Sequence, residues 1–270
     1  MLALANQKGG VGKTTTAVSI ACYFASRGYS TLLIDIDPQG NATSSVGLEK
    51  RDLVRSTYDA LVGATSADEA IVCGVRPGLD VLGANATLAG AEIELVDMRN
   101  RERRLQSAVA PVRDRYDAIV VDCPPSLGLL TINALTACDE VVVPIQCEYL
   151  ALEGLMQLVN TIDLVKRRLN PNLDILGVAM TMFDSRTRLS TQVVHDVARF
   201  FPNRMFHTVV PRSVRLAEAP SYGQSIFEYD LSSRGAEAYQ RLGTEIAARL
   251  GLNGATPAPT ATNEVAALSQ

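Results

Sequence analysis

The chain has 270 residues, 47% of them hydrophobic, and a formal net charge of -4, which suits one large α/β domain with a core of its own and excludes a constitutively basic nucleic-acid coat, so any nucleic-acid contact has to come from a local patch. The cysteines, Cys22, Cys73, Cys123, Cys138 and Cys147, are odd in number with no pair at metal-finger spacing, and read as reduced, mostly buried thiols of a cytosolic protein. No signal peptide is expected, and no apolar run approaches the roughly 20 residues of a membrane span.

Apolar stretches of strand length alternate with segments of helix length. Met1–Ala5 is a short first strand. Thr14–Arg27 follows as a helix that gathers Ala17, Ile20, Ala21 and Phe24 on one face, at the spacing of a 3.6-residue turn. Thr31–Ile36 and the shorter Leu79–Leu82 are the next strands. Ala118–Asp122 and Glu140–Ile145 are apolar through their middles, as strands buried on both faces should be. Leu150–Leu169 reads as a long amphipathic helix, Leu173–Met182 and Met205–Val210 as the last strands, and Gly235–Leu250 as the closing helix. The alternation predicts an α/β fold, a mostly parallel twisted sheet with helices on both faces. Residues 1–252 are expected to form a single domain. Asn253–Gln270, rich in Ala, Thr and Pro with Glu264 as its one charge, is expected to be a disordered tail.

Lys8-Gly9-Gly10-Val11-Gly12-Lys13-Thr14-Thr15 stands between the first strand and the first helix. The spacing approaches that of the phosphate-binding loop G-x-x-x-x-G-K-[ST], but Gln7 occupies the place of the first glycine. Glycines let backbone N–H groups turn inward around phosphate oxygens, and the helix N-terminus adds partial positive charge. Lys13 is placed to reach the β- and γ-phosphates, the Thr14 hydroxyl to ligate Mg²⁺, and Thr15 to meet the α-phosphate. ATP with Mg²⁺ is the expected ligand. A glycine turn without a ligand is the alternative, and the strand–loop–helix context weighs against it.

Leu32–Asn41 ends an apolar strand in Asp35 and Asp37, which period-two alternation points the same way, at the strand end where open α/β sheets bind ligands. Ala118–Asp122 likewise brings apolar residues to a single carboxylate, ahead of Cys123-Pro124-Pro125. Asp122 can hold a Mg²⁺-bound water. An apolar strand ending in Asp is common by itself; beside a phosphate loop it reads as a Walker B element. Loop-capping carboxylates are the alternative, more for Asp35 than for Asp37.

Lys8 is a second lysine that one triphosphate does not need. Lys8–Thr15 resembles the deviant phosphate loop of the ParA/MinD class of ATPases. Asp35-Ile36-Asp37-Pro38-Gln39-Gly40-Asn41 resembles that class's D-x-D-P-Q-G-N segment, and Gln146–Gly154 its Q-x-E-x-x-A-L-E-G segment near the dimer face. The resemblance covers Met1 to about Leu250 and is strongest to the short chromosomal ParA (Soj) type, because the phosphate loop starts at residue 8. It implies that Lys8 crosses a nucleotide-sandwich homodimer to touch phosphates in the other subunit. It implies that Asp37 positions the attacking water, that Asp35 lies near the Mg²⁺ shell, and that Pro124-Pro125 begins a switch loop. Met182, Pro211, Arg212 and Ser213 match segments that frame the adenine base. Slow ATPase activity stimulated by a ParB-type centromere-binding protein, a cytoplasmic, nucleoid-associated location and partitioning of chromosomal origins are implied too.

Between Ser185 and Arg215 lie Arg186, Arg188, Arg199, Arg204, Arg212 and Arg215, against the acid Asp196. Arginine contacts to phosphate bind DNA without sequence preference and with strong salt dependence. A dimer doubles those contacts, so ATP can switch DNA affinity by setting the oligomeric state. In the family the arginines matching Arg186 and Arg215 contact DNA. Merely solvated arginines are the alternative, above all for Arg199 and Arg204. Two rival functions stand beside this one. A MinD-like membrane-cycling ATPase in division-site placement requires a basic amphipathic helix at the extreme C-terminus; Ala236, Tyr239, Leu242, Ile246 and Leu250 read instead as a face docked on the sheet, and no membrane partner is expected. A metabolic or iron–sulfur enzyme on the same scaffold requires an acceptor pocket or suitably placed cysteines, and Cys123 reads as packing.

Overall fold

The computed structural model describes residues 1–148 and 153–252. Its strands are β1 (Leu2–Leu4), β2 (Thr31–Asp35), β3 (Ile71–Arg76), β4 (Leu79–Leu82), β5 (Ala118–Asp122), β6 (Glu140–Gln146), β7 (Asp174–Phe183) and β8 (Met205–Pro211). They form an eight-stranded sheet in the order β3-β4-β2-β5-β1-β6-β7-β8. Each neighbouring pair is parallel except β3 with β4. The expected α/β sheet is present, with an antiparallel strand added at one edge.

The connections explain the order. From central β1 the chain moves to one side through β2, runs out to β3 at the edge, turns back into β4 between β3 and β2, returns to β5 between β2 and β1, and then crosses to β6, β7 and β8. The direction of winding reverses at β1 and β5. The crevice at the C-terminal ends of such strands is where open parallel sheets bind ligands.

Alternation along the strands divides the core in two. Ala3, Leu32, Ile34 and Val121 face one layer, and Leu2, Leu4, Leu33 and Val120 face the other. The helix Lys13–Ser26 packs against the sheet beside the helix Arg234–Arg249, which lies on β8. Tyr239 of the latter is fully buried, and its hydroxyl meets that of Thr16 at 3.0 Å. Burying such a side chain contributes on the order of 2 kcal/mol, and the hydroxyl is satisfied rather than stranded. Ser233 starts this helix by accepting a hydrogen bond from the Ala236 N–H, a cap worth about 1 kcal/mol. Ala236, Tyr239, Leu242 and Ile246 are buried against the fold, so this face is spent on packing.

β3 has no counterpart in the sequence expectation. Its residues are half-buried or exposed, and its pairing with β4 is broken by a register shift between Val72 and Arg76, as befits an edge strand. The helix Leu129–Ala137 is also additional; it is apolar nearly all round, so it shows no 3.6-residue stripe. The long helix begins at Glu153. The expected start at Leu150 lies outside the described residues, as does the tail Asn253–Gln270. No helix among the described residues is long and apolar enough to cross a membrane.

Candidate functional site

β1 delivers its following loop to the N-terminus of the helix Lys13–Ser26. Gly12 caps that helix at φ 86°, a left-handed conformation that costs a residue with a side chain roughly 1–2 kcal/mol. Glycine brings no side chain to the first turn, and no acidic residue stands there. The N–H groups therefore keep their partial positive charge for an anion. Asn6 anchors the loop: its side-chain N–H donates to the Pro144 carbonyl at 2.7 Å, and its Oδ1 accepts from the Lys8 N–H at 3.0 Å. Thr181 of β7 donates to the Val11 carbonyl at 2.8 Å. Gln7, at the departing position, has its Oε1 buried with no partner among the described residues.

Lys13 is buried, and its ammonium donates to the Lys8 carbonyl at 3.1 Å. Burial lowers its pKa, against the upward pull of Asp122, Cys123 and Asp37. Asp122, at the end of β5, is 0% exposed, and neither carboxyl oxygen has a hydrogen-bond partner of good geometry among the described residues. Burial first, and then the charge of Asp35, push its pKa well above the usual carboxylate range; Thr14 and Lys13 offset this only in part. An isolated buried carboxylate is costly unless a cation completes it. Mg²⁺ fits that need: a hard cation that keeps waters and accepts oxygen donors, with Asp122 and the Thr14 hydroxyl as its candidate holders.

Asp35 differs from Asp122 although both end adjacent strands. Its Oδ2 accepts from the Thr43 N–H at 2.8 Å and from the Thr43 hydroxyl at 2.7 Å, and its Oδ1 accepts from the Asp37 N–H at 3.1 Å. Burial raises its pKa while the Thr43 donors pull it down. With both oxygens accepting from protein donors, Asp35 holds the loop around Asp37 and the helix Asn41–Ser45, at the end of the strand beside Asp122. Asp37 is 6% exposed and accepts from the Gln39 N–H at 2.9 Å.

A cavity of about 190 Å³ opens beside the loop, lined in part by Gly12, Thr15, Met182, Pro211, Arg212 and Ser213. The four residues expected around an adenine base thus share one wall. Met182 sits at φ 53°, uncommon for a side chain of its size and a kind of strain that clusters at ligand sites. Thr181, Val210, Leu216, Ala217 and Tyr239 complete the lining. The sequence reading did not place Leu216, Ala217 or Tyr239 there, because their position depends on how the helices Val214–Glu218 and Arg234–Arg249 pack over the sheet.

Lys8 and the arginines are more exposed, and most have acidic neighbours. Lys8 Nζ lies 3.6 Å from one oxygen of Glu148; Arg212 lies 3.4 Å from the other, which also accepts from Gln146 at 2.6 Å. Arg186 donates to both oxygens of Asp184, at 2.9 and 2.7 Å, and holds that carboxyl down to about 2. Arg215 pairs with Glu218 at 3.1 Å and Asp230 at 3.4 Å, and lies 5.9 Å from the centre of the Tyr229 ring. Exposed pairs of this kind are worth about 0–1 kcal/mol and exchange readily for phosphate. Arg204 is otherwise engaged, binding Asp174 and the Ile175 carbonyl, and serves the packing of the sheet edge.

A family model described as an AAA domain matches residues 1–175. The sporulation initiation inhibitor protein Soj of Bacillus subtilis is 54% identical over 92% of this chain and 98% of its own length. The chromosome partitioning protein ParA of Myxococcus xanthus is 49% identical over 92% of this chain and 88% of its own. A solved structure of cobyrinic acid a,c-diamide synthase from Mycobacterium smegmatis, with bound ATP analogue and magnesium, is 38% identical, with a TM-score of 0.82 over 95% of this chain and 97% of that one.

Proposed function

We propose, for a chain that belongs to the Soj/ParA family of chromosome-partitioning ATPases, that residues 1–252 act as one ATP-driven dimerisation switch for non-specific DNA binding. The observation that supports the nucleotide half most directly is Asp122, buried near Lys13 with no hydrogen-bond partner of good geometry among the described residues.

The triphosphate lies along Gly9–Thr15, cradled by backbone N–H groups. Lys13 leaves the Lys8 carbonyl and takes β- and γ-phosphate oxygens. Thr14 and Asp122 would hold Mg²⁺, which would supply neutralisation of charge on the phosphates. The adenine enters the cavity of Met182, Pro211, Arg212 and Ser213. Asp37 orients a water for in-line attack; the water oxygen bonds to the γ-phosphorus, the bond to the bridging oxygen breaks, and ADP and phosphate leave.

Lys8 couples this chemistry to assembly. Its pair with Glu148 is 3.6 Å long and well exposed, worth at most about 1 kcal/mol. A γ-phosphate in a facing subunit can therefore draw it across. Hydrolysis removes that phosphate, and the dimer lapses. Arg186 and Arg215 contact DNA phosphates; one set binds weakly and two linked sets bind strongly. A ParB-type centromere-binding protein accelerates hydrolysis, and the cycle moves chromosomal origins on the nucleoid in the cytoplasm.

The diamide synthase relative favours a second reading, in which the γ-phosphate passes to a substrate carboxylate ahead of amide formation. Phosphate release from ATP and Mg²⁺ alone, with no amide formed when cobyrinic acid and glutamine are supplied, would set it aside. ATP-dependent pelleting with lipid vesicles in the absence of DNA would instead favour the MinD-like cycle. The switch itself is tested by Lys8→Ala, which should bind ATP yet stay monomeric in size-exclusion chromatography. Normal dimerisation and hydrolysis by that variant would overturn the cross-subunit role.

A further inference from the structure

Arg76 closes β3, the antiparallel edge strand, and each of its three guanidinium nitrogens donates a hydrogen bond. Nε donates to both oxygens of Glu228 at 2.8 Å, Nη1 to the Val46 carbonyl at 2.9 Å and Nη2 to the Gly223 carbonyl at 3.0 Å. Its side chain is only 13% exposed. A planar fork of donors suits such a junction, and a lysine cannot reproduce it.

Val46 follows the helix Asn41–Ser45, whose Thr43 is bonded to Asp35. Glu228 closes a capping box on Ser225. Next to it, Tyr229 lies under the Arg215 guanidinium and donates to Glu218 at 3.0 Å. The helix that carries Arg215 also lines the base cavity through Leu216 and Ala217. Gly47 and Gly223 meet backbone to backbone, at φ 83° and 62°; a Cβ on Gly223 would stand 2.7 Å from the Gly47 Cα. The segment that carries Arg215 and the loop that follows Asp37 are thus in direct contact, with Arg76 bonded to both.

We infer that Arg76 is a positioning residue, which ties the placement of Arg215 to the loop of Asp35 and Asp37 and so makes DNA affinity follow the bound nucleotide. This rests on the DNA-switch reading above. Any shift of the helix Asn41–Ser45 on nucleotide exchange moves Val46; Arg76 passes it to Gly223 and Glu228, because a packed junction repacks as a unit rather than deforming gradually. Coupling between two sites has a definite size, read as a ratio of affinities.

The test uses the full chain as wild type, Arg76→Met and Arg76→Lys. Fluorescence anisotropy gives the affinity for random-sequence duplex DNA with ATP and with ADP, both with Mg²⁺. Size-exclusion chromatography gives the dimer, and thermal melting gives the fold. Both variants should dimerise with ATP and hydrolyse it within about twofold of wild type, while the ATP-over-ADP ratio of DNA affinity falls by about tenfold. Lysine should not rescue the ratio, since it cannot serve Val46, Gly223 and Glu228 together. Glu228→Gln, which retains an acceptor for Ser225, is the second arm should the Arg76 variants fail to fold, and it should lower the ratio by a smaller factor. An unchanged ratio in any folded variant overturns the inference alone. Absence of ATP-dependent DNA binding in the wild type overturns the DNA-switch reading and the inference with it.

Discussion

The nucleotide site and the arginine face solve opposite electrostatic problems. In the first, charge is buried with only partial compensation: Asp122 is fully enclosed with no hydrogen-bond partner of good geometry among the described residues, Lys13 is held nearby against the cost of burial, and a helix N-terminus stands uncapped. In the second, charge is exposed and already compensated: Arg186 by Asp184, Arg215 by Glu218 and Asp230. Buried, incomplete charge commits a protein to a ligand, because solvent cannot substitute for it. Exposed, paired charge commits it to nothing until a polyanion competes, and that competition is cheap. The proposed nucleotide site and the proposed DNA face thus differ in whether their charge is buried or exposed.

The contrast can be broken at the buried end first. Lys13→Ala should lower phosphate release by at least about 10²–10³-fold, the scale of removing a preorganised charge from a transition state. Asp122→Asn should lower it comparably and, in the same protein, raise the melting point of the nucleotide-free form, by about 1–3 kcal/mol in stability. The sign follows from the raised pKa of Asp122. The folded state holds its proton more tightly than the unfolded state does, so wild-type stability falls as pH rises from the ordinary carboxylate value towards the raised one. Asparagine removes that loss, and Mg²⁺-ATP should then give a smaller thermal shift than in wild type.

At the exposed end the effects shrink. Arg186→Glu and Arg215→Glu should each weaken duplex binding by about tenfold or more at low salt, with ATP-dependent dimerisation intact in size-exclusion chromatography. Asp184→Asn releases Arg186 from its pair and should strengthen DNA binding by only about two- to threefold, within the value of an exposed ion pair. A large gain there, or a loss of dimerisation in the arginine variants, would mean that the two regions are not electrostatically separate.

How much of this was legible in the sequence follows from how local each signal is. The phosphate loop is contiguous, and its strand and helix flank it, so spacing alone locates it. Central strands are apolar without alternation because both faces are covered, and they read clearly; β3 is partly exposed and bulged, and it does not. Asp35 and Asp122 look alike as strand-ending carboxylates. The donors from Thr43, eight residues beyond Asp35, and from the Asp37 N–H distinguish Asp35 from Asp122, and no spacing rule announces them. The base cavity is assembled from β7, β8 and three helices, and Arg76 gathers segments separated by as many as 152 residues; periodicity carries no trace of either.

The central claim is that ATP sets DNA affinity by setting oligomeric state. The most direct test is size-exclusion chromatography with light scattering on Asp37→Ala, loaded with Mg²⁺-ATP or Mg²⁺-ADP, with and without a random-sequence duplex. A dimer that co-elutes with DNA in ATP, and a monomer free of DNA in ADP, is the predicted result. A monomer in ATP, or equal DNA binding in the two nucleotides, would contradict it.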